Sequence, residues 1–192
     1  MTSFTLDTHY LALPDGAAKE AEAIRALAAA HEADKADVAL VALSIAASRL
    51  PAAPLIKDLT EFGQTLERHG LLRVDLLPPM AYFDIAFPKW CLLPTEEMED
   101  IEHEIHSILY PSIQYAWRDY RKAHQLEETA PSRESPWRAA KCDVQMMLAH
   151  IEAGRDIFVT SSEIFHREIK KRQLIALGAG AILYPAEAVG MI

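Results

Sequence analysis

The chain has only two cysteines, Cys91 and Cys142, far apart and with no C-x-x-C spacing. That excludes a disulfide scaffold and a cysteine zinc site, and points to reduced thiols and a cytoplasmic protein. No apolar run reaches the roughly eighteen residues of a membrane span. The longest, Val38 to Ala47, is short enough to be one buried strand and its exit. The first residues, MTSFTLDTHY, lack the basic start and long apolar stretch of a signal peptide. Positive charge is also scarce: Lys and Arg number 19 against 28 Asp and Glu, a formal net charge of −9. A protein that grips nucleic acid mainly through phosphates is usually basic, so tight nonspecific binding is disfavoured. A carboxylate metal site would itself add negative charge. There is no internal repeat, and no low-complexity segment beyond one Ala-rich helix.

What is present reads as one globular domain over 192 residues, with 51% apolar and 24% charged residues. Phe4 to Leu6 is a short strand ending at Asp7. A turn at Pro14-Asp15-Gly16 leads into a helix from Ala17 to Glu32, rich in Ala, Glu, Leu and Lys. Val38 to Ile45 is almost continuously apolar, the pattern of a parallel strand covered on both faces. Pro51 and Pro54 end it, with Pro54 a first helical residue for a helix to about His69. Leu71 to Leu76 is a further strand, stopped by Pro78-Pro79.

The middle is helical. Six of the nine residues from Glu96 to Glu104 are acidic, in a helix capped by Thr95 and running to Leu109. Ser112 to Glu127 reads as a second helix, with Tyr115, Trp117 and Tyr120 as packing residues. A polar linker, Pro131 to Pro136, precedes a third helix, Trp137 to Gly154. The end alternates: strand Ile157 to Thr160, helix Glu163 to Leu177, strand Ala181 to Tyr184. Strands alternating with helices predict an α/β fold: a mostly parallel central sheet flanked by helices, with a helical insertion at about 82–131.

Two stretches carry candidate chemistry. One is Leu6-Asp7-Thr8-His9 at the end of the first strand. The other runs from Asp143, in a helix, through the Ile157–Val159 strand and Thr160-Ser161-Ser162-Glu163-Ile164-Phe165 to Leu177-Gly178 and Pro185. Together they resemble the opening and closing motifs of the PIN-like domain family, small bacterial ribonucleases that include toxins of toxin–antitoxin pairs. The match covers about ten residues at the start and fifty at the end. The resemblance implies a PIN-like fold and a cytoplasmic Mg²⁺- or Mn²⁺-dependent ribonuclease. Asp7 and Asp143 would be its metal ligands, with Ser162 and Glu163 as supporting catalytic positions. It also implies RNA as substrate, an antitoxin-like protein partner, a homodimer and no membrane.

The chain departs from the family pattern at three positions. His9 stands where the family has Asn. Ser162 stands where it has Asp. The family's middle acidic residue is missing from Ser44-Ile45-Ala46-Ala47-Ser48-Arg49. These departures raise a competing expectation, a catalytically inactive PIN-like domain that binds RNA or protein. By themselves, Ser162 and Glu163 read as the N-cap and first-turn acid of the following helix. Asp156 is a carboxylate at the wrong end of its strand.

Three further features are weaker. His103 and His106 lie three apart on the acidic helix beside Glu99 and Glu102, a spacing that can bind metal but usually marks a solvated face. Arg118-Asp-Tyr-Arg-Lys-Ala-His124 resembles the R-x(4–6)-H motif of HEPN ribonucleases, in which Arg and His cut RNA without metal. Arg133, Arg138, Lys141, Arg167, Lys170, Lys171 and Arg172 could form a phosphate-facing surface, the plain alternative being mixed solvated charge.

Overall fold

The computed structural model describes residues 1–12, 18–44, 56, 58–82, 85–127 and 135–192. The turn at Pro14, the stretch from Ile45 to Arg49, Pro51, Pro54 and Arg133 lie outside them.

Five strands form one all-parallel sheet: β1 (Ser3–Leu6), β2 (Asp37–Val41), β3 (Asp75–Leu77), β4 (Ile157–Val159) and β5 (Ala181–Leu183). Their order is β3-β2-β1-β4-β5. The chain builds outward from β1 to one edge, then returns to add β4 and β5 on the other side. The topological switch point therefore falls between β1 and β4. Crevices outside the carboxyl ends of strands at such a point are where open α/β sheets take ligands.

Helices cover both faces. On one lie α1 (Ala18–Glu32), α2 (Leu59–Arg68) and the short C-terminal α8 (Pro185–Val189). Phe4, Leu6, Val38, Leu40 and Val159 point to this side and pack with Ile24, Leu27, Phe62, Leu66 and Ala188. On the other lie α3 (Glu96–Leu109), α5 (Pro136–Glu152), α6 (Glu163–His166) and α7 (Glu168–Ala176). There Val41, Phe158 and Ile182 meet Ile105, Leu109, Met147, Phe165 and Leu174. The period-2 alternation of Phe4-Thr5-Leu6 and Ile157-Phe158-Val159 assigns each side chain to a layer. A fully buried Phe or Leu contributes about 1.5–3 kcal/mol, so two apolar layers suffice to hold such short strands.

Element ends differ from the sequence reading where local chemistry overrides propensity. α2 starts at Leu59 because Asp58 caps it, its carboxylate accepting from the N–H groups of Thr60 and Glu61 at 2.8 and 2.9 Å. The predicted Leu71–Leu76 strand begins only at Asp75. Leu71 instead closes the C-terminal turn of α2, its N–H on Leu66 O at 2.8 Å. Thr95 caps α3 as expected, accepting from Met98 N at 3.2 Å. The predicted Ser112–Glu127 helix shrinks to α4 (Trp117–Ala123), and Tyr115 lies outside it. The Glu163–Leu177 helix breaks into α6 and α7 at Arg167, whose ψ of 120° is extended.

The amino end of the sheet is stitched by side chains. Arg155 donates to Phe4 O, Asp37 O and the Asp37 carboxylate at 3.1, 2.8 and 2.7 Å. Asp156 takes the N–H and hydroxyl of Ser3 at 2.8 and 2.7 Å. It thus closes the far end of the sheet from Asp7, as its place before β4 implied. Gly180 is required there: its φ is +57°, and a Cβ would lie 2.2 Å from Asp156 O. Among the described residues no helix is long and apolar enough to cross a membrane.

Candidate functional site

At the carboxyl edge, Asp7 leaves β1 and Thr160 leaves β4 side by side. Parallel pairing of Leu6 with Val159 fixes their register, and Asp7 N donates to Val159 O at 3.0 Å. The Thr160 hydroxyl then donates to Asp7 Oδ2 at 2.6 Å. Asp7 and Thr160 are both buried, at 2% and 0% exposure. The two strands that flank the switch point are thus locked by a carboxylate and a hydroxyl.

After Asp7 the chain enters a 3-10 turn, Thr8–Ala12, which folds His9 back over the carboxylate. His9 N donates to Asp7 Oδ1 at 3.0 Å, and His9 Nδ1 lies 2.9 Å from Asp7 Oδ2. The ring contact has ion-pair distance without hydrogen-bond alignment, so Nδ1 has no aligned partner among the described residues. Burial raises the pKa of Asp7, but the charge and hydrogen bonds of His9 and the Thr160 hydroxyl outweigh it, and the net shift is downward. Burial disfavours the His9 imidazolium, yet Asp7, then Asp143 and Glu20, more than compensate and raise its pKa. The imidazolium form of His9 is thus favoured by three carboxylates, from Asp7, Asp143 and Glu20.

Asp143 reaches this neighbourhood because of its helix face. Met146, three residues on, takes the Thr8 hydroxyl on its sulfur at 2.9 Å, so the 143/146 face of α5 turns toward the end of β1. Asp143 is 8% exposed and accepts a short hydrogen bond from the hydroxyl of Tyr110, which follows α3. Tyr10, the neighbour of His9, meets the Ser161 hydroxyl at 3.3 Å, and burial pushes its phenol well up.

Ser162 and Glu163 part company. Ser162 N donates to Thr160 Oγ1 at 3.0 Å, while its own hydroxyl is buried and makes no hydrogen bond among the described residues. It sits at the N-cap position of α6 without capping through its side chain. Glu163 is exposed and accepts the Tyr184 hydroxyl at 3.1 Å, across the end of β5. The Tyr184 ring stacks on His166 at 3.6 Å, and His166 Nε2–H donates to Thr160 O at 2.8 Å.

The structure thus brings Asp7, His9, Asp143, Thr160 and Ser162 to one edge and engages Glu163 with Tyr184. Sequence reasoning missed Thr160, Tyr10 and Glu20 as site residues. Thr160 was legible as the residue after β4 in the same register as Asp7 after β1; nothing in the sequence marks Glu20. Among the described residues, no three His, Cys, Asp or Glu side chains are spaced to enclose a metal ion. What the edge offers is two carboxylates that already accept hydrogen bonds and a buried Ser162 hydroxyl without a partner among the described residues.

The other candidates resolve differently. Lys141 and Arg138, expected on a phosphate-facing surface, are buried at 1% and 4%. Lys141 pairs with Glu102 at 2.8 Å, so neither contributes to a surface patch. That pairing also removes Glu102 from any metal set with His103 and His106, whose Nε2 meets Ile113 O at 2.8 Å. Arg118 and His124 are exposed on α4, with Arg118 beside Asp119 and His124 against the Tyr120 ring. Tyr120 is buried and stacks on Trp117, as packing residues do. Against models of known families, curated proteins and solved structures, the chain matches nothing.

Proposed function

We propose that this chain is a PIN-like domain that cleaves RNA phosphodiesters with Mg²⁺ or Mn²⁺ at the carboxyl edge of its sheet. The observation that carries the reading is the Asp7–Thr160 lock at the β1/β4 switch point, with Asp143 turned toward it from α5. Asp7 and Asp143 would hold the ion, and the unpartnered Ser162 hydroxyl would hold one of its waters. Such an ion neutralises phosphoryl charge and lowers the pKa of a bound water.

The chain's own groups do the rest. Thr160 fixes the Asp7 carboxylate from one side. Burial keeps water away from the Asp7 oxygens, which strengthens every charge interaction there. Arg167 just before α7 and Lys171 and Arg172 on it, the last 3.9 Å from Glu168, would supply positive charge for a phosphate backbone that the net charge of −9 would otherwise repel.

A second reading has its own support: both Asp7 oxygens already accept hydrogen bonds, and Glu163 is engaged with Tyr184. These favour a PIN-like module that binds RNA or a protein partner without cutting. Cleavage assays on varied RNAs with Mn²⁺, with EDTA, and with Asp7→Asn separate the two. The nuclease reading expects cleavage that needs Mn²⁺ and falls more than about 100-fold in Asp7→Asn. Absence of cleavage under all metals would leave the binding module.

A further inference from the structure

The last strand ends in an aromatic side chain that the chemistry at Asp7 leaves unused. Leu183 of β5 pairs with Val159 of β4, and Thr160 N donates to Leu183 O at 3.0 Å. Tyr184 therefore leaves the sheet beside Thr160, two strand spacings, about 10 Å, from Asp7 in the order β1-β4-β5. Its ring lies flat on the ring of His166, with centroids 3.6 Å apart and planes 6° from parallel. Free aromatic pairs prefer offset or edge contacts to such flat overlap, so the surroundings hold this one. His166 Nε2 lies 2.8 Å from Thr160 O. The Tyr184 hydroxyl donates to Glu163 at 3.1 Å, and Tyr184 N donates to Glu187 at 2.9 Å. Pro185 confines Tyr184 to extended backbone, at φ −70° and ψ 155°. The two rings thus form a fixed plate at the carboxyl edge. Both are half-buried. One face of each ring is covered by the other, so what stays exposed lies on outer faces and edges.

We infer that the Tyr184–His166 plate is a stacking site for one nucleobase of a single-stranded RNA lying across the carboxyl edge. The inference rests on the reading of the chain as an RNA-binding domain, cutting or not, and uses no metal ion. Every base has a π-face, so an aromatic surface takes it flat side on, whatever its sequence. Because both rings are held before RNA arrives, stacking orders little that was free. The carboxylates of Glu163 and Glu187 sit at the hydroxyl and the backbone N–H of Tyr184. They repel a phosphate from the plate but not an uncharged base. Arg167 is exposed and follows His166 in the chain, which places a cation for the neighbouring phosphate next to the plate.

The test is binding of a short oligouridylate carrying a single 2-aminopurine to the full chain in EDTA. Affinity is one readout. Quenching of the 2-aminopurine is the other, because it follows stacking and not phosphate contact. The variants are Tyr184→Ala, Tyr184→Phe and Tyr184→Trp, with circular dichroism melts to confirm folding. Tyr184→Leu keeps apolar bulk without a π-face and replaces the alanine variant if that one does not fold. The plate expects binding about 5- to 150-fold weaker in Tyr184→Ala, with quenching lost, and both retained in Tyr184→Phe and Tyr184→Trp. Equal affinity and quenching in wild type and Tyr184→Ala would overturn the plate and leave RNA binding standing. Equal weakening in all three variants would also overturn it, since the hydrogen bond to Glu163, absent from each, would then matter and the ring would not. No binding by the wild type would sink the plate and the RNA reading together.

Discussion

Two acid–base pairs sit on the same side of this sheet's central strands, and they have opposite characters. Lys141 and Glu102 join α5 to α3, each 1% exposed, 2.8 Å apart. Gln145 donates to Glu102 at 3.0 Å, Tyr115 donates to its other oxygen, and the ammonium lies 4.0 Å from the centre of the Tyr115 ring, while the side-chain oxygen of Gln145 has no hydrogen-bond partner among the described residues. Tyr82 and Trp137 complete an aromatic enclosure. His9 and Asp7 are closer to solvent, misaligned, and neighboured by a buried hydroxyl with no partner among the described residues. A buried pair whose two charges match each other is a structural joint, because burial is costliest for a charge left unpaired. One with bonds outstanding is where a ligand can still be recruited.

The comparison breaks most visibly if the joint is opened. Burial already pulls the Lys141 pKa below its ordinary value despite Glu102. Removing the carboxylate in Glu102→Ala leaves a buried cation, and we expect a loss of about 3–5 kcal/mol in urea unfolding. Replacing both partners, Glu102→Leu with Lys141→Met, should recover most of that loss, since a buried pair is often no better than apolar groups of its size. RNA cleavage per folded molecule should be unchanged in both. A Glu102 variant that stays stable would show the joint to be wetter than its burial indicates.

How much of this was readable beforehand follows the same division. The sheet was legible because parallel strands buried on both faces leave apolar runs: β4 and β5 fall within the stretches that the patterning marks, and β1 and β2 overlap theirs but start one residue earlier, at Ser3 and Asp37, with β2 ending at Val41. Asp7 and Asp143 were marked as candidates only through motif resemblance, and the contact of Thr160 with Asp7 follows from register. The Lys141 joint was invisible: five residues from Tyr82 to Lys141 meet through tertiary packing, and a lysine in a basic-looking stretch reads as surface. The insertion likewise reads as an appendage, whereas Ile105 and Leu109 of α3 form part of the core over Phe158.

A smaller effect sharpens the contrast through pH. His150 is wholly buried, its ring between the Thr5 hydroxyl and Ala179 O at 2.8 Å each. Burial pulls its pKa down from 6.5 to about 4. A depressed histidine favours the folded state above the unfolded value and loses that contribution as pH falls from 6.5 toward 4, because the unfolded chain takes up the proton first. The cost is up to about 3 kcal/mol by pH 4. His9 has the opposite sign: its raised pKa stabilises below 6.5 and the contribution disappears as pH rises through the folded value. Urea titrations from pH 7 to 4.5 should therefore show falling stability, with a flatter slope in His150→Gln. Equal slopes would mean that His69 and His106, also held below their ordinary values, carry the acid sensitivity.

The smallest expected effect is none. Arg118 and His124 stand exposed on α4, and His124 leans on Tyr120. Neither faces a buried acid or an unpartnered hydroxyl, the features that distinguish the carboxyl edge. On the metal-dependent reading, His124→Ala should leave both stability and RNA cleavage within error of the wild type, and EDTA should abolish cleavage in both proteins. Cleavage that survives EDTA and disappears in His124→Ala would invert the comparison. The chemistry would then belong to a surface helix, and the Asp7 edge would be a second structural joint with His9 as its fixed counterion.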